Sequence, residues 1–145
     1  MTDFEFQDLI KLQKIFKKSN IIWPNKGERE KFDLISKSTN DKFYLDINRR
    51  GRIELSKCTL QTRWGFNNIP LVRIDIDSPN HMNPDGVMKS RNHIHIYKGS
   101  INDTGNLPWA YDLEEFGIRY SNFMQVFYDF CAYCNIETNK VQGVI

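Results

Sequence analysis

The chain has 145 residues, of which 13% are aromatic and 26% are charged, and its formal net charge is +2. This composition is typical of a globular domain and excludes a disordered chain, while the small net charge gives no ground by itself for a nucleic-acid or membrane partner. The three cysteines are an odd number and no apolar window approaches the roughly 18 residues of a membrane span, so we expect a single domain over residues 1–145 in the cytoplasm.

A capping box predicts a helix at the beginning of the chain. Thr2 supplies the N-cap oxygen, and Glu5 follows three residues later, where its side chain can reach back to the cap. We predict a helix over residues 2–18 with an apolar stripe that faces the core. The stripe contains Phe6, Leu9, Ile10 and Phe16. We interpret the other side as a solvated surface, and it carries Lys11, Lys14, Lys17 and Lys18.

Alternating apolar and polar residues then predict a meander of strands over residues 32–36, 42–48 and 52–64. In the second strand the side chains that face the core are Phe43, Leu45 and Ile47. In the third strand the alternation slips by one residue between Leu55 and Cys58. We therefore expect a β-bulge at residues 56–58, since a bulge restores the inward direction of the apolar side chains.

Two further strands flank a turn-rich loop and contain the side chains that we interpret as functional. In the first strand, near residues 71–77, Val72, Ile74 and Ile76 alternate with Arg73, Asp75 and Asp77. In the second, near residues 93–97, Ile94 and Ile96 alternate with His93, His95 and Tyr97. Side chains alternate faces along a strand, so an antiparallel pair has one apolar face and one face with Arg, Asp and His. We call the second face the polar face and expect it to be open to solvent.

The last part of the chain predicts an edge strand over residues 108–113 and a helix over residues 121–135. The helix has an apolar stripe of Phe123, Phe127, Phe130, Cys131 and Cys134. We interpret the two cysteines as core residues, because they fall on this stripe and no second cysteine pair exists for zinc. The predicted fold class is α+β, an antiparallel sheet of five to six strands packed on one face by an N-terminal and a C-terminal helix.

The strongest candidates for chemistry are His93 and His95, because histidines two residues apart on a strand project in parallel. This spacing suits general acid and base catalysis on a phosphodiester, and it equally suits a shared divalent metal ion. A third metal ligand would come from His81, Asp75 or Asp77. The alternative is that these histidines are polar residues of a solvated sheet and have no chemical role.

Arginines in the meander and the central strands predict contacts with phosphate, since a guanidinium group binds phosphate through two hydrogen bonds. The candidates are Arg52, Arg63 and Arg73. Tyr44 and Tyr97 offer stacking surfaces for unpaired bases. The alternative is that the arginines pair across strands with carboxylates, for which the candidates are Asp46, Glu54, Asp75 and Asp77.

Several segments resemble an uncharacterised family of Gram-positive bacteria and their phages and plasmids. The likeness covers roughly residues 43–145, and its most specific part is His-x-Asn-Pro-Asp-Gly followed by His-x-His-x-Tyr, here residues 81–86 and 93–97. The chain is also similar to TumE-like toxins of toxin-antitoxin modules at Arg73, Asp75, His81, His93 and His95. The first resemblance implies a mobile genetic element as the setting, and the second implies a toxin.

These observations predict a small cytoplasmic protein that acts on RNA or nucleotides as a ribonuclease-like toxin. His93 and His95 would act as acid and base, because an imidazole with a pKa of about 6.5 holds either protonation state near neutrality. Arg73 would stabilise the charge that develops on the phosphate. His81 would orient the substrate or complete a divalent metal site, which is the only cofactor that the pattern indicates.

The alternative is a phage or plasmid inhibitor that binds a host defence protein or a nucleotide signal without turning it over. His81, Asn83 and Asp85 would then shape the loop over residues 78–91 through hydrogen bonds. The expected partners are therefore RNA or a nucleotide, or else a protein such as an antitoxin or a host defence protein, and no membrane.

Overall fold

The computed structural model describes residues 1–50, 57–99 and 107–142 as an α+β fold, which confirms the predicted class. The helices are α1 (Asp3–Lys11) and α2 (Phe123–Tyr133), and a 3-10 turn spans Leu113–Phe116. The strands are β1 (Lys14–Phe16), β2 (Arg29–Ser36), β3 (Lys42–Asn48), β4 (Cys58–Trp64), β5 (Pro70–Ile76), β6 (His81–Met82), β7 (Met88–Lys89), β8 (His93–Ile96) and β9 (Ala110–Asp112). Within the described residues, neither α1 nor α2 is long and apolar enough to cross a membrane.

Seven strands form one sheet in the order β1-β2-β3-β4-β5-β8-β9, and each strand pairs antiparallel with its neighbour. β6 and β7 pair separately as a short hairpin. The edge strand predicted over residues 108–113 is β9. The sheet has more than the five to six strands that we predicted, because β1 is made from residues that we assigned to the first helix.

The first helix is shorter than its apolar pattern predicts. The Thr2 hydroxyl accepts a hydrogen bond from the Glu5 N–H at 3.1 Å, as expected for an N-cap. The helix ends at Lys11, and Leu12 is already extended with a ψ of 131°. The chain then enters β1 and pairs with β2, so the prediction of a helix over residues 2–18 is wrong after Lys11. Apolar residues at positions 15 and 16 continue the helical period, and for this reason the pattern did not reveal the strand.

Lys14 is fully buried, whereas we predicted that it belongs to a solvated surface. Its Nζ donates to the carbonyl oxygens of Ile10 at 3.2 Å, Leu12 at 2.9 Å and Cys134 at 2.9 Å. These carbonyls lie at the C-terminal ends of α1 and α2, where helical carbonyl groups have no partner within the helix. A single ammonium group therefore joins the ends of both helices to the first strand.

The inward side chains of the strands form one apolar core with the helices. The strand register places Ile47, Leu60, Ile74 and Ile94 side by side across β3, β4, β5 and β8, and all four are buried. Phe43, Leu45 and Ile47 are buried as predicted for β3. The helix residues in the same core are Phe6, Leu9, Ile10, Val126, Phe127 and Phe130. Each large apolar side chain that is fully buried contributes about 1.5–3 kcal/mol to folding.

The third predicted strand is described only from its second half. The candidate Arg52, Leu55 and the first residue of the bulge predicted at residues 56–58 lie outside the described residues. Within the described residues, the pairing of β4 with β5 shifts register between Thr62 and Arg63. Cys58 at the start of β4 is buried, and burial raises the pKa of its thiol to about 12.

Candidate functional site

The pairing of β5 with β8 brings the charged and histidine side chains of the two strands together. Asp75 is the register partner of His93, and Arg73 is the register partner of His95. Cross-strand partners project from the same face of a sheet, so all four side chains extend from the polar face. On the other side of β5, strand β4 contributes Thr59, which is the register partner of Asp75.

A hairpin covers this part of the polar face, so the prediction that it is open is wrong. The hairpin consists of β6, β7 and the turn between them, in which Gly86 has a φ of +86°. The Asn83 side chain donates to the Ala110 carbonyl at 2.9 Å and accepts from the Ala110 N–H at 2.8 Å, which fastens the hairpin to β9. Beneath it, His93 is only 2% exposed and His95 is 0% exposed.

His81 lies on the hairpin and completes a group of three adjacent imidazoles. Its ring centroid is 4.7 Å from that of His95 and 5.7 Å from that of His93, and the His93 and His95 centroids are 4.8 Å apart. We call these three histidines together with Asp75 the histidine cluster. The structure therefore brings together residues from β5, β6 and β8 that the sequence analysis considered as joint ligands or catalytic groups.

The Asp75 carboxylate is the negative centre of the histidine cluster. Its Oδ1 accepts a hydrogen bond from the Thr59 hydroxyl at 3.0 Å, and its Oδ2 lies 3.2 Å from the Arg73 Nε. The same Oδ2 lies 3.3 Å from the His93 Nε2 and 3.2 Å from the His95 Nε2. Burial alone would raise the pKa of Asp75, but its contacts with His93, His95 and Arg73 outweigh burial and hold the pKa well below its usual value.

The hydrogen bonds of His93 and His81 fix which nitrogen of each ring carries the proton. The His93 Nδ1 lies 2.6 Å from the Ser90 carbonyl oxygen, and the His81 Nε2 lies 2.7 Å from that of Pro108. A carbonyl oxygen only accepts, so we infer that these two nitrogens donate. A neutral His93 consequently directs the lone pair of its Nε2 towards Asp75.

His95 is the least satisfied member of the histidine cluster. Both of its ring nitrogens are buried, and neither has an aligned hydrogen-bond partner in the part of the chain that the structure describes. The 3.2 Å approach of its Nε2 to Asp75 is thus an electrostatic contact without hydrogen-bond alignment. Burial lowers the pKa of His95 below its ordinary value despite the attraction of Asp75, which favours a neutral ring.

Three residues of the histidine cluster are arranged so that they could hold a metal ion. Asp75, His93 and His95 each offer one ligand atom, and these atoms lie within 4.8 Å of one another. Two imidazoles and one carboxylate are a common ligand set for divalent transition metals.

A groove of about 590 Å³ lies beside the histidine cluster. Its lining includes Arg29, Lys31, Asp46, Thr59, Gln61 and Arg73. Two of these residues, Thr59 and Arg73, are also the ones that contact Asp75. We call this space the polar-face groove, and it is connected to the histidine cluster through those two side chains.

Tyr44 lies on β3 next to the polar-face groove, between two cationic side chains. The Lys31 Nζ is 4.8 Å from the centroid of its ring, and the Arg63 Cζ is 4.7 Å from it. Arg63 also forms a bidentate pair with Asp46, through its Nε at 2.5 Å and its Nη2 at 2.9 Å. Arg63 thus has the cross-strand pairing that we considered as the alternative to phosphate binding.

The histidine cluster also does not include three further sequence-predicted site residues, Asp77, Asp85 and Tyr97. Asp77 has a φ of +52° and accepts a hydrogen bond from the Tyr120 hydroxyl at 2.9 Å. Asp85 accepts from the Val87 N–H at 3.0 Å within the hairpin turn. Tyr97 is buried and donates to the Met1 carbonyl at 2.6 Å, so its ring is not a stacking surface in this arrangement.

Sequence reasoning did not identify Thr59 or Lys31 as members of the site. Thr59 follows from the alternation rule once Cys58 is known to face inward, so a correct register for β4 would have found it. Lys31 lies in β2, which begins at Arg29, three residues before the strand that we predicted. A second space, of about 430 Å³, lies against Trp23, Arg49 and Phe123 from three distant segments, and no sequence pattern indicated it.

The comparisons with known proteins give a family without an assigned activity. A model of a family of unknown function, DUF6978, matches residues 1–136. Searches of curated proteins and of solved structures found no significant match to the chain.

Proposed function

The chain belongs to the family of unknown function DUF6978, and we propose from its own geometry that it binds RNA or a nucleotide in the polar-face groove and cleaves a phosphodiester there. The observation that carries this proposal is the connection between the groove and the histidine cluster, since Arg73 and Thr59 belong to both. The biological setting that we propose is that of a ribonuclease-like toxin of a bacterial mobile element, acting in the cytoplasm.

The groove has the side chains that a polyanion requires. Arg29 and Lys31 are exposed cations along β2, and the Arg73 side chain is 32% exposed although it contacts Asp75. These three residues supply phosphate contacts, with Arg73 nearest to the histidine cluster. The Tyr44 ring supplies a surface on which a base stacks when it displaces the Lys31 side chain from that ring.

The chemistry that we propose is hydrolysis by a water molecule that the histidine cluster activates. The imidazoles of His93 and His95 are buried under the closed hairpin, so the reaction that we propose takes place while the hairpin is displaced and the groove is continuous with the histidine cluster. The water oxygen bonds to phosphorus as the bond to the leaving oxygen breaks; the neutral His95 ring takes the proton that the water loses, and solvent supplies the proton to the leaving oxygen. Arg73 stabilises the negative charge of the phosphorus centre during this step.

The proposal also keeps both helices on the apolar side of the sheet, opposite the groove. The core shared by the buried residues of α1, α2 and the strands supports this arrangement. It leaves the polar face of β2 to β5 accessible to a ligand.

The test is a cleavage assay on RNA oligonucleotides and on free nucleotides in the presence of different divalent metal ions. We expect the wild type to cleave and the Arg73→Ala and His93→Ala/His95→Ala variants to lose at least about 100-fold in rate, which is the scale of one lost electrostatic contact to a transition state. Lys37→Ala is the matched control, because Lys37 is a cation outside the groove that pairs with Glu137. Equal rates for wild type and the double histidine variant would contradict the proposed cleavage.

A second candidate function is binding without turnover, as an anti-defence inhibitor of a host protein or nucleotide signal. The burial of His93 and His95 favours it, and so do the exposed apolar side chains of the hairpin, Met82, Val87 and Met88. Exposed apolar residues on one element are typical of a protein-binding surface. In this case Met82→Ser/Met88→Ser abolishes capture of the partner from the native host, while His95→Ala changes no reaction rate.

A further inference from the structure

The Asp75 Oδ2 and the Nε2 atoms of His93 and His95 approach one another at the centre of the histidine cluster, where the Arg73 Nε contacts the same oxygen at 3.2 Å. The Asp75 Oδ2 and the Nε2 of a neutral His93 are both acceptors, yet they are 3.3 Å apart in a buried space. The His95 Nε2 lies 3.2 Å from the same oxygen without a hydrogen bond. Buried acceptors that face one another are costly unless a proton or a cation lies between them.

The distances match those between the ligands of a four-coordinate metal ion. Ligand atoms that surround Zn²⁺ tetrahedrally at about 2.0–2.1 Å are separated from each other by about 3.3–3.4 Å. The separations from the Asp75 Oδ2 to the two imidazole nitrogens are 3.3 and 3.2 Å. The three ligand atoms lie within 4.8 Å of one another, so the two imidazole nitrogens would have to approach each other by up to about 1.4 Å to complete a tetrahedral set.

Hydrogen bonds from neighbouring residues to His93 and Asp75 are of the kind that orients metal ligands. The Ser90 carbonyl accepts from the His93 Nδ1 at 2.6 Å, which leaves its Nε2 unprotonated for a metal. The Thr59 hydroxyl donates to the Asp75 Oδ1 at 3.0 Å, while Oδ2, which the Arg73 Nε contacts at 3.2 Å, is the oxygen nearest to both imidazoles. Such second contacts fix the tautomer of a ligating histidine and the orientation of a ligating carboxylate.

We propose that Asp75, His93 and His95 bind one divalent transition-metal ion of the zinc class. Three protein ligands leave a fourth position for water, which is the arrangement of catalytic zinc sites. The site stands on the geometry of the histidine cluster, and only its use on RNA rests on the proposed function. When the ion takes the Asp75 Oδ2, the Arg73 side chain is released towards the groove, where a phosphate would meet it.

A proton is the rival to the metal ion. A doubly protonated His93 would donate to Ser90 and Asp75 at once, but it would leave the His95 nitrogens without a partner. A metal ion satisfies both imidazoles and the carboxylate together. Among the described residues, the group of adjacent ligand atoms consists of Asp75, His93 and His95 and includes no cysteine.

The first test is metal content after the full chain is stripped with a chelator, incubated with Zn²⁺ and freed of unbound metal. We expect about one equivalent in the wild type and in His81→Gln, and loss of it in His95→Ala and Asp75→Asn. Asp46→Asn is the matched control, since Asp46 is a carboxylate of the same face that pairs with Arg63. A wild type without stoichiometric metal, or equal binding in His95→Ala, overturns the proposal.

The second test does not depend on whether a ligand variant folds. Thr59→Val keeps the shape of the side chain but removes its hydrogen bond to Asp75, so we expect the same stoichiometry with about 10–100-fold weaker Zn²⁺ affinity. The absorption spectrum of the Co²⁺-loaded wild type should show four-coordinate nitrogen and oxygen ligands without a thiolate band. An unchanged affinity in Thr59→Val, or a thiolate band, overturns the assignment. Stoichiometric metal in a protein that leaves RNA intact would refute the proposed cleavage and retain the metal site.

Discussion

Lys14 is the residue whose environment departs furthest from its chemical type. It occupies a core position with its ammonium group directed at three carbonyl oxygens from the ends of both helices. Burial lowers the pKa of this amine from 10.5 to about 8. The charge is therefore retained at neutral pH only because the carbonyl groups compensate for the lost water.

Replacing Lys14 with Met should destabilise the fold by about 3 kcal/mol, because three buried carbonyl oxygens lose a charged donor while the apolar volume is kept. Urea unfolding monitored by circular dichroism measures this difference. Lys17→Met is the control, since Lys17 is exposed, and it should change stability by less than about 0.5 kcal/mol. A loss as small as that of the control would contradict the role of Lys14.

The same pair of proteins should differ in pH dependence. A folded pKa of about 8 lies below that of the unfolded chain, so between about pH 8 and pH 10.5 the unfolded state binds more protons. Stability from this group therefore rises with pH across that window, by at most about 1.4 kcal/mol per pH unit, and is constant below it. The free energy of unfolding of the wild type should therefore rise relative to that of Lys14→Met over this pH range. A difference that does not change with pH would count against the lowered pKa of Lys14.

At the scale of elements, three side chains attach the hairpin of β6 and β7 to residues 108–112: Asn83, His81, which contacts the Pro108 carbonyl at 2.7 Å, and Lys89, which lies 3.7 Å from Asp112. Asn83 forms both of its hydrogen bonds with the backbone of Ala110, and thus substitutes for a neighbouring strand at the sheet edge. The hairpin strands are two residues each and have exposed apolar side chains at Met82 and Met88. Such a short element has little stability of its own.

Asn83→Ala should loosen the hairpin at β9 without unfolding the sheet, since His81 and Lys89 keep their contacts with the segment over residues 108–112. Removing both hydrogen bonds leaves the buried Ala110 amide and carbonyl unpaired, at a cost of about 2 kcal/mol. Hydrogen exchange should then accelerate at Ala110 and in β8, with β3 and β4 unchanged. The exposed Asn80 provides the control variant Asn80→Ala. Faster exchange throughout the sheet would mean that the hairpin is part of the global folding unit.

At the scale of the whole molecule, the sheet has a polar face that is sealed at one end and accessible at the other. Single-stranded RNA bound in the accessible part should release counterions, so its affinity should fall as salt increases. We expect Lys31→Ala to lower the slope of log affinity against log salt by about 0.7, with Lys37→Ala leaving it unchanged. Fluorescence anisotropy with a labelled oligonucleotide measures both slopes, and identical slopes would exclude Lys31 from the RNA contact.

Periodicity alone predicted the parts of this fold that obey a single period. The inward set of β3, the stripe of α2 and the alternation that unites Asp75, His93 and His95 all follow from it. The end of α1 was missed because the apolar residues of β1 fit the helical period as well. The cover over the histidine cluster was missed because it depends on Asn83 pairing with a backbone 27 residues away, and a local pattern contains no information on such a contact.

The attachment of the hairpin, to which Asn83 contributes, also limits how fast ions and water molecules exchange between the histidine cluster and solvent. An ion or a water molecule reaches His95 only while the hairpin is raised, so the lifetime of the closed state limits exchange regardless of how strongly the cluster binds. Occupancy of the cluster would then persist long after a change in the surroundings. On the proposed metal site, the ion would leave at the rate at which the contacts of the hairpin with residues 108–112 open together.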